Sequence, residues 1–293
     1  MSATPARARV LVGVRELAAD LRVGEGTDPA EGAPLLLDVR WALGMTDGHE
    51  RYLAGHLPGA VYVDLESELA ASPSPSEGRH PLPSTAELQD SARRWGVRAS
   101  SRVVVYDTVG GTSAARAWWL LRYFGVADVR ILDGGLPAWV RAGLPVEPGE
   151  VRRERGDVVL HPGHLPVLDA DGAAEVADEG MLLDARAAER YRGEVEPVDP
   201  RAGHLPGAVS APTTDNLGPD GCFLPDDALR ERFADLGLSS DGEMPGVYCG
   251  SGVTASHEVA ALATIGVTAA LYPGSWSQWS SDPALPVATG ARP

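Results

Sequence analysis

Gly55-His56-Leu57-Pro58-Gly59-Ala60-Val61 returns later in the chain as Gly203-His204-Leu205-Pro206-Gly207-Ala208-Val209. Upstream of each block lies an apolar run ending in an acid and an arginine. The first is Leu37-Asp38-Val39-Arg40 and the second Leu183-Asp184-Ala185-Arg186. Downstream, Val103-Val104-Val105-Tyr106-Asp107 matches Gly246-Val247-Tyr248-Cys249. Gly134-Gly135-Leu136-Pro137-Ala138-Trp139 matches Gly274-Ser275-Trp276-Ser277-Gln278-Trp279. Four landmarks in one order, roughly 140 to 148 residues apart, mark a duplicated unit. Only the second copy holds a thiol, where the first has Asp107. This reads as one working site and one structural partner.

Within each copy, short apolar runs alternate with segments of helical period. That alternation points to an α/β domain with a mainly parallel sheet flanked by helices. In the first copy, strands are expected at 35–39, 60–63, 102–106 and 129–132, with helices at 14–21, 85–95 and 113–124. In the second, strands are expected at 181–183, 207–210, 246–248 and 269–272, with helices at 170–177, 226–236 and 254–265. The first domain is assigned to 8–146, a linker rich in Pro, Gly and charge to 147–163, and the second domain to 164–293. The proline-broken stretch 73–83 reads as a long polar loop of the first copy. Trp118 and Trp119 sit on a helical pattern and read as core.

The chain has 25 basic and 41 acidic residues, a net charge of -16. This argues against nucleic acid and membrane surfaces as partners. An anionic substrate would need arginines gathered locally against the overall field. No run approaches the ~18 apolar residues of a membrane span. Residues 1–14 lack a signal-peptide apolar core, so a cytoplasmic protein is expected. In a reducing compartment, two cysteines argue for free thiols. No CxxC pair, HExxH, P-loop or dinucleotide fingerprint occurs, so neither metal nor cofactor is expected.

Cys249 ends an apolar run and precedes Gly250-Ser251-Gly252-Val253-Thr254-Ala255, after which a helix begins. Two glycines let the backbone curl around one point. The helix turns unpaired N–H groups and its positive dipole end toward the same point, forming a nest for an anion or a thiolate. In open α/β sheets this end of the strands is where ligands bind. A lone free cysteine is commonly a small, inert core residue. The glycine-rich strand–loop–helix setting favours a nucleophile instead.

On these residues the chain, from 11 to 287, resembles the tandem rhodanese-type sulfurtransferases. The motifs that carry the resemblance are Cys249-Gly250-Ser251-Gly252-Val253-Thr254-Ala255, the two Gly-His-Leu-Pro-Gly-Ala blocks, Asp107 in the silent copy, and the Gly-Ser-Trp-x-x-Trp segment at 274–279. The 3-mercaptopyruvate branch is the most similar. The resemblance implies two tandem rhodanese-like domains with the site in the cleft between them. Cys249 would carry a persulfide from a small donor to a thiol, a thioredoxin-like protein or cyanide, with no cofactor. The thiosulfate branch has two basic residues directly after the cysteine. This chain has Gly250 and Ser251 there, so thiosulfate ranks second to 3-mercaptopyruvate.

The resemblance also implies roles for single residues. Gly250, Gly252, Val253 and Thr254 would surround the donor. Arg190 would hold its carboxylate through paired N–H donors. A second family arginine falls in Glu196-Pro197-Val198-Asp199-Pro200-Arg201, a shorter stretch than the family form. Arg201 is the nearest candidate and Arg192 the fallback. Ser251, His80 and Glu66 would form a proton relay. His80 lies in Gly78-Arg79-His80-Pro81-Leu82-Pro83 and has no counterpart in the other copy, whereas Glu66 closes Asp64-Leu65-Glu66. The competing reading of His80 is a solvated loop histidine. Arg186 has its counterpart in Arg40, and His204 in His56, so these read as structural. Cys222 reads as a structural residue of a turn.

Two rival functions remain open. One is a thiosulfate:cyanide sulfurtransferase, and the other a non-catalytic persulfide carrier or regulatory binding module. A cysteine phosphatase needs Cys-x5-Arg, but position 255 is Ala and the loop holds no arginine.

Overall fold

The computed structural model describes residues 5–23, 32–239 and 243–293. They divide into two compact units. The first comprises the described residues of Met1–Leu69, Pro83–His164 and Pro219–Phe223. The second comprises Ala70–Leu82, Leu165–Gly218 and the described residues of Leu224–Pro293.

The first unit holds five strands: β1 (Leu11–Val12), β2 (Leu35–Asp38), β3 (Val61–Tyr62), β4 (Arg102–Tyr106) and β5 (Asp128–Leu132). Their order is β1-β5-β4-β2-β3, and all neighbours are parallel. Helices cover both faces of such a sheet, which is why β4 reads Val-Val-Val-Tyr with every one of those side chains buried. Leu17, Leu36, Val104, Tyr106, Leu132 and Trp139 share one core.

In the second unit, β6 (Leu182–Asp184), β7 (Val209–Ser210), β8 (Gly246–Tyr248) and β9 (Ala270–Leu271) are ordered β7-β6-β8-β9, again all parallel. This is the β3-β2-β4-β5 order of the first unit, strand for strand. Thus Cys249 and Asp107 end the same strand of the duplicated sheet. The α/β reading of each copy therefore holds, and the predicted strands fall within a residue or two of the observed ones. Strand β1 and the helices Ala6–Val10, Gly48–Ala54, Leu65–Glu68, Gly135–Arg141, Ala188–Tyr191 and Ser275–Trp279 were not anticipated. Each is two turns or fewer, too short to display a helical period.

The repeated histidines are part of the frame. His56 Nδ1 bonds the Tyr52 carbonyl oxygen at 2.9 Å, and His204 Nδ1 that of Tyr191 at 2.7 Å. Each ring stacks on the same tyrosine, with centroids 4.1 and 3.7 Å apart. Burial holds His204 below the usual histidine range. The acid–arginine pairs repeat as well. Arg40 Nη2 meets Asp38 at 2.6 Å and Arg186 Nη2 meets Asp184 at 2.5 Å, with no exposure of either aspartate. Trp118 and Trp119 are buried.

The stretch after the first domain is strapped onto the first unit rather than free. Gly156 N–H donates to the Arg93 carbonyl (2.8 Å) and His161 N–H to that of Phe124 (3.0 Å), with Val158 and Leu160 buried. The loop read from sequence at 73–83 as part of the first copy falls, but for Pro83, in the segment Ala70–Leu82 of the second unit. Arg79 N–H donates to Ser277 Oγ at 3.0 Å, and Gln278 Nε2 to the Ser76 carbonyl at 2.6 Å. Among the described residues, no helix is long and apolar enough to cross a membrane.

Candidate active site

Cys249 sits at the carboxyl end of β8 and is 1% exposed. Its Sγ receives the N–H groups of Ser251 (3.4 Å) and Gly252 (3.1 Å). Gly252 has φ 77°, a left-handed turn that glycine adopts without strain, and it caps the helix Val253–Thr264. The sulfur therefore faces converging backbone donors and the positive end of a three-turn helix. The segment after β9 braces the loop from behind. Trp276 N–H and Ser277 N–H donate to the carbonyls of Cys249 and Gly250, each at 2.9 Å. Ser275 Oγ accepts the Cys249 N–H at 3.2 Å and donates to the Tyr272 carbonyl at 2.8 Å. Ser275 has φ 52° where the first copy has Gly135 at 56°. A strained serine is kept at this position where its hydroxyl serves Cys249.

The same nest exists in the first unit and is already filled. Asp107 accepts four backbone N–H groups, from Val109, Gly111, Ser113 and Ala114, at 2.8 to 2.9 Å. Burial pushes this carboxyl above its usual range, and the four donors pull against that shift. One copy supplies its own anion, and the other presents a sulfur.

Two arginines flank the thiol loop. A Cβ placed on Gly250 would lie 3.0 Å from Arg79 Nη2 and 3.4 Å from Arg190 Nη1. Arg190, on the short helix Ala188–Tyr191, donates through Nη2 to Glu196 (2.7 Å) and Asp199 (3.1 Å). Arg79 pairs with the other oxygen of Asp199. Glu196 also lies 3.5 Å from Arg186, so the charges alternate from Asp184 to Arg79. Sequence reasoning found Arg190 and missed Arg79, Glu196 and Asp199. The loop itself carries no charge, as expected, but its surroundings do. The signal for Arg79 was available: it adjoins His80 in the same unrepeated segment.

His80 is 4% exposed, and its Nδ1 lies 2.7 Å from Ser251 Oγ. The solvated-loop alternative is thereby excluded. Glu66 belongs to the first unit, where it accepts the Trp41 indole N–H at 2.7 Å. Val253 is buried and Thr254 half-buried, both in the first turn of the helix after the loop. Arg192 is engaged with Glu194 at 2.8 Å.

Arg201 does not meet its expectation. Its guanidinium donates four hydrogen bonds to main-chain carbonyls of Trp279, Ser280, Asp282 and Leu285, at 2.5 to 2.8 Å. It stitches the turn after the Ser275–Trp279 helix, and four of its five N–H donors are consumed there. Replacing Arg201 with Ala should therefore lower stability by roughly 2–3 kcal/mol, the scale of lost charge-assisted bonds to carbonyls. Denaturant titration would measure this, and KM of the folded fraction should stay unchanged. Cys222 lies in the first unit, and burial together with Asp133 and Asp220 pushes its thiol up to about 11. That suits an unreactive residue. Among the described residues, no group of three or more His, Cys, Asp or Glu is arranged to hold a metal ion.

The rhodanese-like domain family matches this chain twice, over residues 25–142 and 169–282. The chain belongs to the rhodanese family. It is 50% identical over 290 residues to "Putative thiosulfate sulfurtransferase SseB" of Mycobacterium tuberculosis, covering 97% of this chain and 99% of that protein. It is 48% identical over 262 residues to "Probable 3-mercaptopyruvate sulfurtransferase" of Pseudomonas aeruginosa, covering 87% and 92%. It is 38% identical over 260 residues to "3-mercaptopyruvate sulfurtransferase" of Escherichia coli, covering 86% and 91%, and the solved rhodanese-fold structure of SseA from Escherichia coli superposes with a TM-score of 0.78 at 36% identity, covering 91% and 98%. The duplicated parallel sheets are thus two rhodanese domains, with the thiol in the second.

Proposed function

We propose that this sulfurtransferase takes a sulfur atom from 3-mercaptopyruvate onto Cys249 and passes it to a thiol, a thioredoxin-like protein or cyanide. One observation carries the reading: the sulfur of Cys249 is held by two loop N–H groups beside a His–Ser pair and two guanidinium groups. The Cys249 thiolate attacks the donor sulfur, and an S–S bond forms as the donor C–S bond breaks. The electron pair of that bond passes to carbon, so pyruvate leaves as its enolate. One proton, originally on the donor thiol, ends on that carbon through Ser251 and His80. The enzyme keeps a persulfide on Cys249, whose negative outer sulfur suits the N–H groups of the nest. Arg190 holds the donor carboxylate. An acceptor thiolate or cyanide then takes the outer sulfur and restores the Cys249 thiolate. A free thiol of this kind suits a reducing compartment such as the cytoplasm.

Thiosulfate is the second reading, favoured by the name of the M. tuberculosis relative and by Arg79 and Arg190 beside the loop. Sulfite leaves with its electron pair on sulfur and needs no proton on carbon. His80→Ala should therefore lower kcat/KM for mercaptopyruvate about 10²-fold, the usual worth of a positioned proton relay, and lower that for thiosulfate much less. Steady-state assays with both donors test this. Equal losses would make His80 structural, and a wild-type kcat/KM higher for thiosulfate would reverse the donor assignment.

A further inference from the structure

We infer that Asp199 is an internal counter-ion that sets donor charge preference, and that Arg79 is the second guanidinium of the donor-anion subsite. This rests on the sulfurtransfer reading and extends it to residues outside the thiol loop. The side chain of Asp199 is 3% exposed and lies between two arginines, one oxygen toward Arg79 and the other 3.1 Å from Arg190 Nη2. Glu196, 4% exposed, takes the same Arg190 nitrogen at 2.7 Å and accepts the N–H groups of Val198 (3.1 Å) and Asp199 (3.0 Å). The nitrogens nearest Gly250 are the remaining ones, Arg79 Nη2 and Arg190 Nη1. Among the described residues neither has a hydrogen-bond partner. The Nε atoms of both arginines are buried and unpaired as well.

The arrangement offers one guanidinium nitrogen of each arginine beside Gly250, the residue after Cys249, with their positive charge balanced by the carboxylates of Asp199 and Glu196. A donor bearing one negative charge can take those nitrogens with modest repulsion from Asp199 and Glu196. Thiosulfate brings two charges and meets that repulsion twice over, at a buried place where charges are poorly screened. Asp199 thus does through charge what the uncharged Gly250 and Ser251 cannot do alone: it disfavours the dianion. Asp199 is a positioning residue, since it acts through Arg79 and Arg190.

The test is donor kinetics of Asp199→Asn, which keeps shape and one acceptor oxygen but removes the charge. KM for thiosulfate should fall about tenfold, the scale of one charge-assisted interaction. KM for mercaptopyruvate should move less than about threefold, and kcat should change little for either donor. A merely structural role would raise KM, so the sign is diagnostic. An unchanged or raised KM for thiosulfate in a folded Asp199→Asn protein overturns the inference. Arg79→Met provides an independent arm, whatever the folding of the first variant. It should raise KM for both donors, and an unchanged KM for both removes Arg79 from the subsite. Mass spectrometry of the wild type with each donor separates the levels: no added sulfur from either would sink the sulfurtransfer reading itself.

Discussion

Cys249→Ser should abolish sulfur transfer while leaving the fold intact, with kcat reduced by at least about 10³-fold, as for loss of a covalent nucleophile. The hydroxyl fits the same buried site and can still accept the N–H groups of Ser251 and Gly252. It is not ionised near neutral pH and cannot form a persulfide. Thermal unfolding should therefore be nearly unchanged. Cys222→Ser serves as the paired control. That residue lies in the other unit, in a turn where Asp133 accepts the Phe223 N–H at 2.8 Å, and its thiol is pushed toward the neutral form. It should keep most activity. An active Cys249→Ser protein, or a dead Cys222→Ser protein, would reassign the site.

Asp107→Ala should be among the most destabilising single changes in the first unit. The side chain is fully buried and satisfies four main-chain donors at the start of the helix Ala114–Tyr123. Removing it strands those donors, and each buried unsatisfied group costs about 1–3 kcal/mol, so a loss on the order of 4 kcal/mol or more is expected. Asp107→Asn keeps one oxygen and should lose less. Urea unfolding of the wild type and both variants measures the ranking. A near-neutral Asp107→Ala would mean that water or the loop itself satisfies those groups, and that the silent nest does not depend on its anion.

The two nests explain how much could be read from the sequence. The duplication, the strand ends and the thiol loop follow local patterns, so Asp107 and Cys249 could be aligned without coordinates. The same comparison set His56 and His204 apart from the site, because each makes the contacts of its partner in the other copy; Arg186 shares with Arg40 the aspartate pair but also lies 3.5 Å from Glu196. Arg201 failed because a motif offset says nothing of direction. Its guanidinium is drawn to four carbonyls of a turn more than seventy residues downstream. Arg79 and Asp199 were missed because their meeting depends on loop 70–82 packing with the second unit. Long-range loop packing leaves no period in the chain. The expectation of an uncharged thiol loop was accurate for the loop residues and incomplete for their surroundings.

Everything proposed for this protein depends on Cys249 receiving a sulfur atom from a small donor. The most direct measurement is mass spectrometry of the intact protein after brief exposure to 3-mercaptopyruvate, followed by mapping of the modified peptide. A gain of one sulfur atom is expected, located on Cys249, removed by cyanide or a small thiol and absent from Cys249→Ser. A protein that gains no sulfur, or gains it on Cys222, would contradict it.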